Sequence, residues 1–311
     1  MQERNSADSG ESITHAAFDL DGTLLERNGD LLPRILEAFS CLRDRGVRMV
    51  LVTGRPPVAF GSEIAENLRS AGFENYFLVG NGNVWIDVST GERNSLLSLP
   101  PHMFQSLERF GVRDVVAETE YAPVASTPRA AAAYAMAYRA PRSEIAIEPA
   151  ALWDCASSLR VSALTVFGAD VRTLPGGSLP GHELDFIGPF GAQIIRPLGT
   201  CKATALELYL RRHGEGGSLR STVAFGDAYN DVCLLRACAL GVAVQYADEA
   251  ARRHSDVHLD RALDDYLLNW VPESMGSPGS PGPICFGGHT HPDSSREHDL
   301  VGEPSASERG R

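Results

Sequence analysis

Asp19 and Asp21 in FDLDGT, Thr53 and Arg55 in LVTGR, Lys202 in PLGTCK, and Asp227, Asn230 and Asp231 in AFGDAYND all fall where apolar runs of this 311-residue chain give out. Four carboxylates gathered in one small volume repel one another unless a cation sits among them. Hard oxygen ligands with room for water suit Mg²⁺. A single aspartate at a strand end is an ordinary turn residue, but two pairs closing two apolar strands are not. Thr53, the backbone N–H groups around Gly54 and Arg55, and Lys202 can hold the oxygens of a tetrahedral anion, as helix starts and small-residue loops do. Lys202 is also the only lysine among 28 Lys and Arg residues. A position that keeps lysine in so arginine-rich a chain points to a need for a compact point charge on a flexible stem, which a planar guanidinium does not supply.

These residues need a scaffold that brings them to one rim. Strand-like and helical runs alternate on both sides of the chain's middle, as in a parallel α/β sheet. THAAFDL (14–20), VRMVLVTG (47–54) and NYFLVGNG (75–82) read as strands, separated by helices over PRILEAFSCLRDRG (33–46) and PVAFGSEIAENLRSAG (57–72). The first helix carries Pro at its start, apolar residues at 35, 36, 39 and 42, and Gly46 at its stop, as helix boundaries require. The alternation resumes with TCKATALELYLRRHG as helix, STVAFGD as strand, AYNDVCLLRAC as helix and LGVAVQ as strand. Ligands of open parallel sheets gather at the carboxyl ends of the strands, where all four chemical sets fall. Residues 84–190 differ, with short strands such as VRDVVAE and RVSALTVFG between Pro- and Gly-rich joints, and read as an inserted α/β domain. The fold class is therefore α/β: a Rossmann-like doubly wound core (14–83 and 191–271) with an inserted cap (84–190).

Composition narrows the function classes. A net charge of -12 without a local basic patch disfavours nucleic acid and anionic lipid surfaces as partners. Six scattered cysteines show no metal-ligand spacing and read as reduced thiols. The polar start, residues 1–13, carries no apolar signal segment, so a cytoplasmic location with no membrane anchor is expected. Residues 272–311 hold 20 Pro, Gly or Ser among 40, too little apolar surface to offset ordering entropy, and read as a disordered tail. Cys285, His289 and His291 in that tail could bind a metal, but with no fixed scaffold to hold them an incidental polar segment is the better account.

FDLDGTLL, VTGRP, a lysine heading KATAL, and GDAYNDVCLL, in this order, resemble the four motifs of the haloacid dehalogenase superfamily of phosphatases. The 149 positions from Thr53 to Lys202 leave room for a large cap, and NGNVWID and GVAVQYADEAARRHSDV are similar to segments of the Cof-type subgroup. The resemblance implies Asp19 as a nucleophile forming an aspartyl-phosphate, and Asp21 as general acid and then base. It implies Mg²⁺ held by Asp19, the backbone carbonyl of Asp21 and Asp227, with Asp231 helping directly or through water. Asn230 would orient that loop, Thr53, Gly54, Arg55 and Lys202 would bind the phosphoryl oxygens, and Asn81 and Gly82 would support the substrate. Ala203 replaces the glycine that commonly follows the lysine, and Asn83 replaces a small residue, either to contact substrate or to cap a turn. Asp21 argues against a dehalogenase; a phosphomutase usually carries its cap elsewhere. A receiver domain would leave the insertion unexplained, and a substrate-binding sensor would have no need of both aspartates. The implied partner is a small phosphorylated metabolite, a sugar phosphate first, read by the cap with Glu118, Arg129, Arg139 and Arg142 as candidates.

Overall fold

The strand HAAF (His15–Phe18, β1) is buried along its whole length, as a central parallel strand covered on both faces must be. Its side chains alternate between two apolar layers: Ala16 and Phe18 enter one cluster and Ala17 the other. A computed structural model of the chain describes residues 12–26, 28–100, 102–148, 160–170, 182–187 and 191–270. Segments 1–11 and 272–311, with Cys285, His289 and His291, lie outside the described residues.

β1 sits inside an eight-stranded sheet. The chain leaves it through helix α1 (Ile35–Asp44) to β2 (Arg48–Val52), then through α2 (Ser62–Ser70) to β3 (Phe73–Val79) and on to β4 (Val84–Asp87) and β5 (Arg93–Ser95). Much later it returns through the helix Lys202–His213 to β12 (Thr222–Gly226), the helix Val232–Ala237, β13 (Leu240–Ala243), the helix Glu249–Arg253, β14 (Val257–His258) and the helix Leu263–Asn269. The order is β14-β13-β12-β1-β2-β3-β4-β5. Pairs from β14 to β3 are parallel, while β3–β4 and β4–β5 are antiparallel. The sheet therefore continues past its parallel part as an antiparallel edge, which a two-stranded hairpin can supply without a crossover.

Helix packing follows the apolar spacing. Ile35, Ala38, Phe39 and Leu42 of α1 are buried, and Leu36, expected inside, is 48% exposed; the i, i+3, i+4, i+7 stripe runs through Ala38 instead. Phe18, Phe39, Phe73 and Phe225 form one aromatic stack, with Phe18 lying 4.9 Å from Phe225 in parallel planes. The helix expected from Pro57 is divided: Pro57–Ala59 makes a 3₁₀ turn, and the α-helix waits until Ser62 because Gly61 is extended (ψ 150°).

Between these halves the chain builds α3 (His102–Arg109), β6 (Asp114–Thr119), β7 (Val124–Ala125), α4 (Pro128–Tyr138), β8 (Ala146–Ile147), β9 (Val161–Phe167), β10 (His182–Ile187) and β11 (Ala192–Pro197). They form a second sheet in the order β10-β11-β9-β6-β7-β8, antiparallel except for β7–β8. Sheet membership moves the expected boundaries. Residues 84–95 pair with β3 as part of the larger sheet, while 192–197 belong to the smaller one, so we propose that the insertion spans about 96–198. Continuous pairing, which decides membership, is invisible in a short apolar run such as VWID.

Glu118 sits inside this second layer, 4% exposed, accepting from the Thr165 hydroxyl at 3.1 Å. Burial raises its pKa to about 7, against the Thr165 hydrogen bond and the Arg196 charge. An unfolded glutamate titrates near 4.5, so between these values the folded state holds a proton the unfolded state has released. Glu118 therefore favours folding most below the unfolded value, and this contribution is lost as pH rises to about 7. Glu118→Gln removes that slope. Thermal unfolding at pH 5 and pH 8 is expected to show the variant gaining on the wild type at the higher pH.

Candidate active site

The chain runs outward from β1 in one direction to β2 and β3, and in the other to β12 and β13, so the strand order reverses between β1 and β12. Crevices form at such a reversal, outside the carboxyl ends of the strands. Register places Phe18 beside Phe225, and the amide of Asp19 donates to the Phe225 carbonyl at 3.0 Å. Asp19 and Asp227 thereby leave neighbouring strand ends together. Thr53 leaves β2 on the other side, its amide held by the Leu78 carbonyl at 2.8 Å.

Lys202 opens the helix Lys202–His213, labelled α5. It has no exposed surface, and its Nζ lies 2.5 Å from Asp19 Oδ1 and 2.5 Å from Asp231 Oδ1. Burial works against the ammonium, but the two carboxylates more than restore it and raise its pKa above the ordinary lysine value. Asp19 is shifted upward, first by burial, opposed by Lys202 and reinforced by Asp231. Asp227 is also shifted upward, by burial and then by Asp19 and Asp231. One carboxylate oxygen from each of Asp19, Asp227 and Asp231 falls within a 4.8 Å span. A cation among these hard donors would relieve both burial and repulsion, and the donor set fits Mg²⁺.

Asp231 does more than face that cation site. Its second oxygen accepts from the amides of Asp227 and Ala228 at 3.1 Å each, folding the loop after β12 around a buried charge. Asp248 braces the same loop: its carboxylate takes the Tyr229 amide at 2.9 Å, while its amide donates to the Asp227 carbonyl at 2.7 Å. Asp248 lies outside the four acidic and polar motifs. Its signal was the N-cap pattern DEAARR, since the side chain also caps Ala251.

The phosphate-loop candidates divide. Thr53 is 1% exposed, and its hydroxyl accepts the Arg55 amide at 3.1 Å. The loop is fastened to the one after β3: Asn81 N–H donates to the Thr53 carbonyl at 2.9 Å and Gly80 N–H to the Arg55 carbonyl at 2.7 Å. Gly54 leaves room there, because a Cβ would lie 3.0 Å from Asn230 Nδ2 and 3.2 Å from Asn81 Oδ1. The Arg55 guanidinium, expected toward phosphate, instead grips Asp21 through Nε and Nη2, at 2.7 and 2.6 Å. The Asp21 side chain is 56% exposed, so this pairing turns it outward, and its carboxylate is not part of the acidic trio.

Cap and core meet at the loop after β3. Asn230 donates to Asn81 Oδ1 at 3.1 Å, and Asn81 Nδ2 donates to Asp185 of β10 at 3.2 Å. Arg196 of β11 donates to the same Asp185 oxygen at 2.6 Å and also binds the Thr200 carbonyl. Asn83 serves neither alternative raised by its sequence context: buried, it donates to the carbonyls of Leu97 and Ser162 and accepts the Leu97 amide. Arg129 pairs with Asp114 and Arg142 with the Ile145 carbonyl, both within the smaller layer. Arg139 approaches Gly29 of the core, and Glu118 lies inside the smaller layer. The cap thus brings Asp185 to Asn81, with Arg196 behind it, and no local pattern marked either.

The model of the haloacid dehalogenase-like hydrolases matches residues 16–101 and 186–269. Pyridoxal phosphate phosphatase YbhA of Escherichia coli strain K12 is 25% identical over 276 residues, covering 82% of this chain and 96% of that protein. A haloacid dehalogenase-like hydrolase from Bacteroides thetaiotaomicron has the same fold with a TM-score of 0.67 at 20% identity, over 83% of this chain and 99% of its own. A protein of Thermotoga maritima gives 0.69 at 20% identity, over 83% and 98%. A structure described as a subclass IIB sugar phosphatase gives 0.67 at 20% identity, over 82% and 98%.

Gly22 tests the cation reading. Its φ is +79°, and a Cβ would stand 2.2 Å from Asp227 Oδ2, so Gly22→Ala must displace that carboxylate. Isothermal titration with Mg²⁺ is expected to show at least roughly tenfold weaker binding in the variant, together with a loss of about 1–3 kcal/mol in stability from the left-handed backbone.

Proposed function

The chain belongs to the haloacid dehalogenase-like hydrolases, as a phosphatase of the Cof-type subgroup, and from that premise we propose a Mg²⁺-dependent phosphomonoester hydrolase acting through an aspartyl-phosphate, with a sugar phosphate as substrate. The carrying observation is the buried Lys202 ammonium, 2.5 Å from Asp19 at the sheet's reversal point. It fixes a carboxylate where the loop amides beyond β2 can receive an anion.

In this reading Asp19 attacks phosphorus, forming the P–Oδ bond as the ester P–O bond breaks. Asp21, half exposed and able to turn away from Arg55, gives its proton to the departing oxygen. It then takes a proton from the water that cleaves the aspartyl-phosphate. Thr53 and the amides near Gly54 hold the phosphoryl oxygens, while Lys202 balances negative charge shared by Asp19 and phosphate. Mg²⁺, held by Asp19, the Asp21 backbone carbonyl and Asp227 with Asp231 behind them, would screen the nucleophile from the phosphoryl oxygens.

The sugar preference rests on Asp185 and Arg196, which bring an acceptor and a donor side by side from the cap to Asn81. Neighbouring hydroxyls of a polyol match such a pair better than an aromatic ring does. The E. coli relative, named for pyridoxal phosphate, supplies the competing substrate.

Phosphate release from sugar, nucleotide, pyridoxal and flavin phosphates, with Mg²⁺ or EDTA, tests the whole reading. Activity is expected only with Mg²⁺. Asp19→Asn should abolish it, and Lys202→Arg should lower kcat by about 10²-fold or more in a protein that circular dichroism shows to be folded. Asp185→Ala should raise KM for the preferred sugar phosphate by about tenfold, the loss of one charge-assisted hydrogen bond, while sparing p-nitrophenyl phosphate. Pyridoxal phosphate turned over better than every sugar phosphate would overturn the substrate assignment and leave the mechanism standing.

A further inference from the structure

A cavity of about 560 Å³ runs along α5 beneath the β4–β5 hairpin, and none of Asp19, Asp21, Thr53, Lys202 or Asp227 lines it. Clefts of about 300–1,000 Å³ are the usual size for small-molecule sites. One end touches Leu97 and Thr200, which lie in the two segments joining the larger sheet to the smaller. The other end is aromatic: the His213 ring lies 4.5 Å from Tyr76 and 6.0 Å from Trp85, centroid to centroid.

The polar character of this cavity is one-sided. Trp85 is 5% exposed, and its indole N–H is buried with no hydrogen-bond partner among the described residues. That N–H has no exposed surface, so it offers nothing to an occupant, and Trp85 contributes its ring rather than a donor. Arg212 lies over the Trp85 ring at 5.8 Å. Its neighbour Arg211 pairs with Glu207, whereas Arg212 has no carboxylate partner among the described residues. No aspartate or glutamate lines the cavity, although the chain as a whole carries a net charge of -12. Leu96 and Leu208 complete the wall with apolar surface.

We propose that this cavity is a binding site for a small aromatic carboxylate, separate from the phosphoryl site. The ring packs against Leu208 and the aromatic end, and the carboxylate meets the Arg212 guanidinium, whose planar fork matches two carboxylate oxygens. The occupant touches both connections between the sheets and the helix that carries Lys202.

The test is isothermal titration of the full chain with 2-naphthoate, using the uncharged 2-naphthol as the control. One molecule of 2-naphthoate is expected per chain, with at least tenfold weaker binding of 2-naphthol. Arg212→Glu, at an exposed position, should weaken 2-naphthoate by at least tenfold. Leu208→Trp, which fills the cavity, should remove binding, and Asp19→Asn should leave it unchanged. The proposal is overturned if wild type binds no 2-naphthoate at millimolar concentration, if Arg212→Glu binds as well as wild type, or if Asp19→Asn abolishes binding and so moves the ligand to the catalytic crevice. Because binding is read as heat, the result stands apart from whether the chain hydrolyses any phosphate ester.

Discussion

Lys202 occupies a place where a charge is expensive, and the surrounding structure is arranged to keep it there. An ammonium without solvent contact is strongly disfavoured unless it is paired and hydrogen-bonded, and here two carboxylates meet it at 2.5 Å. Removing one partner of such a group leaves an uncompensated buried charge, a loss of about 3–5 kcal/mol. Asp19 comes from the first strand, Asp231 from the loop after β12, and Lys202 from the start of α5. The ion triplet therefore ties together three segments that are remote in sequence. It also leaves carboxylates in excess around Asp227, an excess that a divalent cation beside it would relieve. An arginine here would have to fit its wide, planar head into a space with no exposed surface between two oxygens already in contact with a single nitrogen.

The parts of this arrangement legible in the sequence share one property: they are local. β1, β2 and β12 are short, nearly continuous apolar runs because both faces of a parallel sheet are covered. Each ends in polar residues because the crevice lies at the carboxyl ends. Asp19, Thr53, Lys202, Asp227 and Asp231 could be read from that pattern without pairing information. VWID reads as the start of the insertion, since three apolar residues before an aspartate fit either sheet and only hydrogen bonds to β3 decide. Asp185 and Arg196 were invisible for the same reason, being 11 residues apart but adjacent across an antiparallel pair. Asp185 then reaches Asn81 over a separation of 104 residues. The outward turn of Asp21 was also beyond the motif, because it depends on where the Arg55 side chain lies.

Asn83 shows how a residue in a functional motif can be committed to architecture. Its amide spans the Leu97 backbone and the Ser162 carbonyl, joining the loop after β3 to the first connection and to β9. With both ends of the amide engaged and 1% of the residue exposed, it has nothing left to offer a substrate. Asn81, two residues earlier, is turned by a left-handed backbone (φ 55°) and joins Asn230 to Asp185. Alternate positions of one short loop thus serve different neighbours: one holds the connection, the other links the loop after β12 to the cap.

The cap's other seat has the same address. Val58 and Ala59, just beyond Thr53 and Arg55, are buried in one cluster with Val116, Ala131, Tyr134 and Phe167 of the smaller layer. The loops after β2 and β3, which carry Thr53 and Asn81, are therefore also the two loops on which the cap rests. They are fastened to each other through the Asn81–Thr53 and Gly80–Arg55 backbone hydrogen bonds. Asp185 connects the cap to Asn81, the apolar cluster connects it to Val58, and both connections lead to the loop that carries Thr53. In a packed interior such contacts shift between discrete arrangements rather than stretching gradually. If the crevice binds phosphate as proposed, seating the cap and shaping the anion pocket would be a single mechanical event, because Asp185 sits on the element whose seating reaches Thr53.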